Sequence, residues 1–276
     1  MLSLKISFLD VGHGDFIYAL TPFGDNLVID LGIGDIVPSQ FLSNITTISE
    51  LQISHPHIDH FHDISAMSRK NIKSFRCPIL KNFTDQVMGW KILDRAKVAK
   101  LREMKSSVAA DNDAVKTGNG FRHTVWFPQN RESENPNTAS VVTTLEYQGV
   151  KVLLGGDLPA AGWEDLLNNA DFRRAISGTT IFKVPHHGRK EGCCQALFDM
   201  KEFMPSLCII SDKALVKDPK NRAATDWYSK RARGCNVEGY VEKRKVLSTR
   251  LEGSIFVKIN EERKWWVYPN RKWIDS

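Results

Sequence analysis

The chain has 276 residues, 42% hydrophobic and 25% charged, which is the composition of a globular protein with a sizeable core and excludes disordered, fibrous and collagen-like classes. Its formal charge of +6 is unevenly placed: 16 basic and 8 acidic residues fall in 213–276, leaving 22 and 24 in the rest, so a +8 C-terminal third follows a body of −2. No apolar run approaches the roughly 18 residues of a membrane span, the start lacks a basic then apolar leader, and five cysteines without a Cys-x-x-Cys pair fit neither a disulfide framework nor a zinc ribbon; the expectation is a soluble, cytoplasmic protein with no membrane association.

Residues 5–9 are apolar-rich and stop at Asp10-Val11-Gly12-His13-Gly14-Asp15. Segments 16–20 and 27–29 follow, separated by turn chemistry at 21–26, so the chain opens as a strand meander ending at Asp30. A short helix is expected over 37–42, and 51–53 is a brief apolar segment running into a histidine cluster. Over 85–104, Trp90, Leu93, Leu101 and Met104 fit one helix face, with Lys91, Arg95, Lys100 and Arg102 elsewhere on it. The polar stretch 106–120 reads as a mobile loop suited to a lid. Strands are expected at 123–127, 180–184, 207–210, 246–248 and 253–259, with a hairpin of 140–147 and 150–154 over Gln148-Gly149. Helices are expected at 160–169 and 195–204, and a basic one at 221–233. Without a linker or a fixed-period repeat, the mixture predicts an α/β sandwich forming a single domain over 1–276.

The densest chemical signal is Ser54-His55-Pro56-His57-Ile58-Asp59-His60. Three imidazoles and a carboxylate just beyond a strand would each need a separate partner in a core, whereas metal binding explains them together. In an extended turn, residues two apart point the same way, so His55 and His57 can share one cation while Asp59 and His60 face a second. His62 lies outside this spacing and reads as a helix-start residue. Two further strand ends carry ligand chemistry: Leu153-Leu154-Gly155-Gly156-Asp157 and Val184-Pro185-His186-His187-Gly188. There is no Gly-x-Ser-x-Gly and no Walker-type glycine loop, and Cys193-Cys194 reads as structural.

These residues resemble the metallo-β-lactamase superfamily of dinuclear metallohydrolases. Within it the chain looks most like the hydrolase domain of the ComEC competence protein family, through residues 8–15, Asn137-Thr138-Ala139-Ser140, residues 183–188 and residues 248–255. The resemblance implies a four-layer αββα sandwich and two divalent metal ions, zinc or manganese. It places His55 and His57 on the first ion, Asp59 and His60 on the second with one of His186 and His187, and Asp157 between them. Asp59 and Asp157 would then be the catalytic carboxylates, holding a bridging water that attacks as hydroxide. Asp30 would orient the histidine loop from outside, and Asp10, His13 and Asp15 would lie near the cleft. Many relatives carry a further histidine about twenty residues before the bridging aspartate; here 135–137 occupy that stretch, leaving Asn137 as a weaker donor and the first site looser or better suited to manganese. The membrane helices and small β-barrel of ComEC have no counterpart in this sequence, so DNA uptake does not follow.

The leading expectation is phosphodiester hydrolysis, with DNA or RNA as substrate. Arg222, Lys230, Arg231, Arg233, Lys243, Arg244 and Lys245 would track phosphates. Trp227, Tyr228, Trp265 and Trp266 could stack bases, although core packing is the simpler role for them. The alternatives are a hydrolase of a small anionic substrate, such as a cyclic nucleotide, another phosphoester or an amide or lactam, and a non-catalytic, metal-stabilised subunit with protein partners in a larger system.

Overall fold

The structure is a computed structural model that describes residues 2–78, 92–129, 135–212 and 223–269. Its strands, in chain order, are β1 (Ser3–Phe8), β2 (Ile17–Leu20), β3 (Asn26–Ile29), β4 (Thr47–Gln52), β5 (Asn71–Arg76), β6 (Phe121–Trp126), β7 (Val142–Tyr147), β8 (Val150–Leu154), β9 (Ile181–Lys183), β10 (Leu207–Ile210), β11 (Val246–Ser248), β12 (Ile255–Asn260) and β13 (Trp265–Pro269). They form a sheet of order β13-β12-β1-β2-β3-β4-β5 and a second of order β11-β10-β9-β8-β7-β6. The helices include α1 (Pro38–Phe41), α2 (Ile58–Phe61), α3 (Ile64–Met67), α4 (Ile92–Ser107), α5 (Ala160–Leu167), α6 (Ala170–Ile176), α7 (Gln195–Asp199), α8 (Thr225–Ser229) and α9 (Thr249–Glu252).

Period-two alternation along the strands assigns each apolar side chain to a layer. On β3, Leu27 and Ile29 face the second sheet while Val28 faces α3 and α4; on β8, Val152 and Leu154 face the first sheet while Leu153 faces α5 and α6. Three apolar layers result. One lies between the sheets, one between the first sheet and Ile64, Met67, Val98, Leu101 and Met104, and one between the second sheet and Trp163, Leu166, Phe172 and Tyr228. This is a four-layer αββα sandwich. At about 1.5–3 kcal/mol per fully buried large apolar side chain, these layers carry the fold.

Direction within the sheets positions the site. Strands β3, β4 and β5 are mutually parallel, as are β8, β9, β10 and β11. Their carboxyl ends therefore open at one edge of each sheet, where ligands of open parallel sheets gather. β1 also ends at that edge, because it pairs antiparallel with β2 and β2 with β3. The β7–β8 hairpin turns through Gln148 (φ 52°) and Gly149 (φ 83°), both in the left-handed region, as a two-residue turn matched to strand twist requires.

Several expectations are corrected. Segment 71–76 is an edge strand and 265–269 another, neither foreseen. The helix expected at 195–204 ends at Asp199. Of the basic helix at 221–233, Thr225–Ser229 is helical, while Arg222 lies outside the described residues, as do Trp90 and Lys91. The loop expected as a lid is fastened to the first sheet: Asp111 N–H donates to Ser74 Oγ, Arg76 reaches the Asp111 carbonyl, and Lys116 N–H donates to Asp25. Asp25 precedes β3, at the end opposite Asp30. No helix among the described residues is long and apolar enough to cross a membrane.

Candidate metal centre

Asp30 follows β3, Ser54 and His55 follow β4, Asp157 follows β8 and His187 follows β9, so the shared strand direction brings them together. Among the described residues, six non-glycine residues have left-handed φ, and three of them are here: Asp30 (60°), His186 (49°) and His187 (51°). Such conformations cost of order 1–3 kcal/mol each and persist where surrounding contacts impose them. Gly156 (φ 52°) lets the chain turn so that Asp157 points inward, where its N–H donates to Ser140 Oγ. Gly14 (φ 120°) lies so close to the Asp59 backbone that a Cβ would sit 2.3 Å from its carbonyl oxygen, which fixes the loop of residues 10–15 against the histidine loop.

Two ligand sets share one oxygen. His55 Nε2 lies 3.0 Å from His57 Nδ1 and 3.8 Å from Asp157 Oδ2. On the other side, His60 Nε2 and His187 Nε2 are each 3.4 Å from the same Asp157 oxygen, and 3.7 and 3.5 Å from Asp59 Oδ2. These separations suit nitrogen and oxygen donors around a divalent cation, whose bonds to them run about 2.0–2.2 Å. His60 Nε2, His187 Nε2 and Asp157 Oδ1 are buried without hydrogen-bond partners, so the donor set fits a metal on this structure's own chemistry.

The far sides of the rings are occupied by partners that fix them. Asp30 Oδ2 takes the His60 Nδ1 proton at 2.7 Å and the Ser54 hydroxyl at 2.7 Å, while Ser54 N–H donates to Asp30 Oδ1. The Ser54 hydroxyl oxygen lies 3.1 Å from His55 Nδ1, so one aspartate orients two imidazoles. His187 Nδ1–H donates to the Ser211 carbonyl, which turns Nε2 toward the cluster. That geometry distinguishes the two adjacent histidines. His187 meets both carboxylates; His186 is half-buried and acts on His57 and Asp157 only through its field.

Charge organises the rest. Asp15, Asp30, Asp59 and Asp157 crowd together against one fully buried ammonium, that of Lys183, whose Nζ lies 2.6 Å from Asp15 Oδ2. Burial opposes charge on His187, but the Asp157 and Asp59 carboxylates push its pKa up to about 10. Burial likewise opposes charge on His60, and Asp157, Asp30 and Asp59 raise it well above the ordinary histidine range. Burial and the neighbouring His60 instead hold His55 well below that range. Despite burial, His187 and His60 keep the Asp157 carboxyl far below its ordinary value. A divalent cation would replace the protons on His60 and His187, so binding releases them.

The remaining expected residues fall in three places. Asp10 and His13 line a cavity of about 430 Å³ with Asp212 and Arg250, and His13 also borders a second of about 380 Å³ with Asp59, His62 and Lys97. Asn137 is buried on the turn before Ser140, its Oδ1 without a hydrogen-bond partner. The basic residues Arg233, Lys243, Arg244 and Lys245 gather at the amino ends of β10 and β11, opposite the centre: Arg233 bonds to Met204 and Pro205, and Lys245 accepts from Cys208. Lys230 and Arg231 follow α8, with Arg231 stacked on Trp227 and bonded to Gln195. Tyr228 is fully buried and offers no face to a base, Trp227 and Trp265 are partly buried against the core, with Arg231 over the Trp227 ring, and Trp266 is exposed. Sequence reasoning missed Lys183 and Arg189; both flank the His186-His187 motif, and that adjacency is the signal that points to them.

No family model matches the chain. ComE operon protein 3 of Bacillus subtilis (strain 168) is 24% identical over 233 residues, covering 75% of this chain and 28% of that protein, so the chain spans under a third of that relative's length. Among solved structures, the metallo-β-lactamase fold protein YhfI from Bacillus subtilis aligns with a TM-score of 0.53 and 11% identity over 97% of this chain and 100% of that one. The β-hydroxylase CmlA, as a single-site variant, aligns with a TM-score of 0.50 and 11% identity over 82% and 49%. The chain has the metallo-β-lactamase fold, with a ComEC-like sequence resemblance.

Proposed function

We propose that the protein is a metal-dependent hydrolase of phosphodiester bonds, acting on DNA or RNA. The observation that carries this reading is the pair of ligand sets joined through Asp157 Oδ2. Bound there, two divalent ions, zinc or manganese, would supply activation of a water and charge stabilisation on the attacked phosphate and leaving oxygen. His55, His57 and Asp157 would hold the first ion, and Asp59, His60, His187 and Asp157 the second. Asp30 and Ser54 keep the imidazole tautomers fixed, and Lys183 neutralises Asp15 beneath them. Four carboxylates against one ammonium leave three negative charges, which two divalent ions would turn into one positive charge, suited to an anionic substrate. Arg189 and Arg250 stand beside the cleft as phosphate contacts.

Purified protein should cleave labelled nucleic acid only with added divalent metal, and Asp157→Ala and His57→Ala should not; cutting that persists in both variants overturns the proposal. A second reading, hydrolysis of a small anionic substrate, is favoured by the cavities of about 380 and 430 Å³ beside His13 and by the placement of Lys243, Arg244 and Lys245 at the opposite edge. Cyclic nucleotides and simple phosphoesters in the same panel separate the two.

A further inference from the structure

We propose that His13 is a fifth protein ligand of the second metal site, and that this site takes up its ion before the first. The inference rests on the dinuclear reading of the cluster, not on any substrate.

Asp59 Oδ2, His60 Nε2, Asp157 Oδ2 and His187 Nε2 form a closed ring whose neighbouring atoms are 3.4–3.7 Å apart. His13 Nε2 lies 3.5 Å from the Asp59 oxygen of that ring, and its imidazole packs on that of His187 with centroids 4.3 Å apart. Ligand atoms of His13, Asp59 and His187 are close enough to share one ion.

The chemistry of that one nitrogen is decisive. Arg189 Nη2 lies 3.3 Å from it, and a guanidinium only donates, so Nε2 there is an acceptor whose lone pair is engaged by Arg189. The Asp59 carboxylate is also acceptor-only, so the two face each other as like partners until a cation lies between them. Ligation of an ion would draw that lone pair away from Arg189, which competes for it. Placement is not left to a loose loop, since Gly14 presses the loop of residues 10–15 onto the Asp59 backbone.

Five donors, three imidazole nitrogens and two carboxylate oxygens, exceed the four that a tetrahedral zinc site uses and suit ions that accept five or six ligands. The first site has only His55, His57 and the shared Asp157 as strong donors, with one carboxylate against two. Loading order follows from that inequality.

The full chain, stripped of metal, is titrated with Mn²⁺ by calorimetry and with Co²⁺ by visible absorption. The first Co²⁺ equivalent should give the weak bands of five- or six-coordination. In His13→Ala those bands should intensify toward the four-coordinate pattern, and first-step affinity should fall by roughly 100-fold or more, beyond the about 10–100-fold typical of groups that only support a ligand. His13→Gln, which retains an oxygen donor and guards against a folding defect, should lie between. Arg189→Ala should tighten the first step, and His57→Ala should remove only the second. A wild-type spectrum and affinity in His13→Ala, weakened binding in Arg189→Ala, or loss of the first step in His57→Ala overturns the proposal. If wild-type protein binds no divalent ion, the metal reading of the whole site falls with it.

Discussion

Replacing Lys183 by methionine removes the ammonium buried beneath the cluster while nearly preserving side-chain length. Lys183 is 0% and Asp15 1% exposed, with 2.6 Å between the charged atoms, so solvent cannot compensate the carboxylate left behind. Burial disfavours a charged Asp15, and Lys183, with His187 and His60, is what holds its pKa below the ordinary range. Breaking a buried pair by removing one partner costs about 3–5 kcal/mol. For a chain of this size, at about 2–4 °C per kcal/mol, Tm should fall by roughly 6–20 °C. The assay is thermal unfolding of the metal-free protein by circular dichroism, comparing Lys183→Met, Asp15→Asn and the double variant. Because no orphaned charge remains in the double variant, it should be more stable than Lys183→Met alone. A single variant within about 1 kcal/mol of wild type, or strictly additive effects, would refute the reasoning.

Asp30→Ala frees the Ser54 hydroxyl and His60 Nδ1 together and should weaken metal binding about 10–100-fold, as read by competition with a chelating dye. His123, buried between the sheets beside Glu50 and Arg76, has a pKa lowered to about 4 by burial, with Arg76 adding to it. Its folded pKa lies below the unfolded 6.5, so its contribution to stability is present above pH 6.5 and is lost as pH falls toward 4. That loss is about 3 kcal/mol, and the stability difference between wild type and His123→Leu, measured by denaturant titration at about pH 7 and about pH 4.5, should shift accordingly. Lys243→Ala, Arg244→Ala and Lys245→Ala combined should leave turnover of a small phosphodiester unchanged. Any nucleic-acid affinity they carry should drop, and the salt dependence of binding should become shallower by about one unit of slope for each phosphate no longer neutralised.

Much of the candidate centre was legible because its imidazoles and carboxylates cluster in sequence on one loop. His55, His57, Asp59 and His60 span six residues, and strand ends announced Asp30, Asp157 and the His186-His187 pair. The apolar runs of residues 5–9, 27–29 and 150–154, bounded by turn residues, likewise announced strands. What stayed hidden depends on contacts across the chain. Asp15 and Lys183 are 168 positions apart, and a lysine ending a strand reads as solvated until the opposite sheet is seen to cover it. The placement of His187, not His186, against Asp59 and Asp157 depends on the Ser211 carbonyl beyond a distant strand. The basic tail was visible as charge, but its side of the molecule depends on the direction of β10 and β11. Edge strands β5 and β13 stayed unforeseen because neither alternates cleanly between apolar and polar residues.

The opposition of the two sheet edges has a practical meaning for anyone altering this protein. The candidate ligands sit at the tips where strands end, while the turns at the far edge hold Lys243, Arg244 and Lys245 and stand apart from them. Fusions, tags or immobilisation handles grafted at that far edge should therefore leave the candidate ligands undisturbed, and a library of replacements there would change how the protein is held without altering the geometry of those ligands.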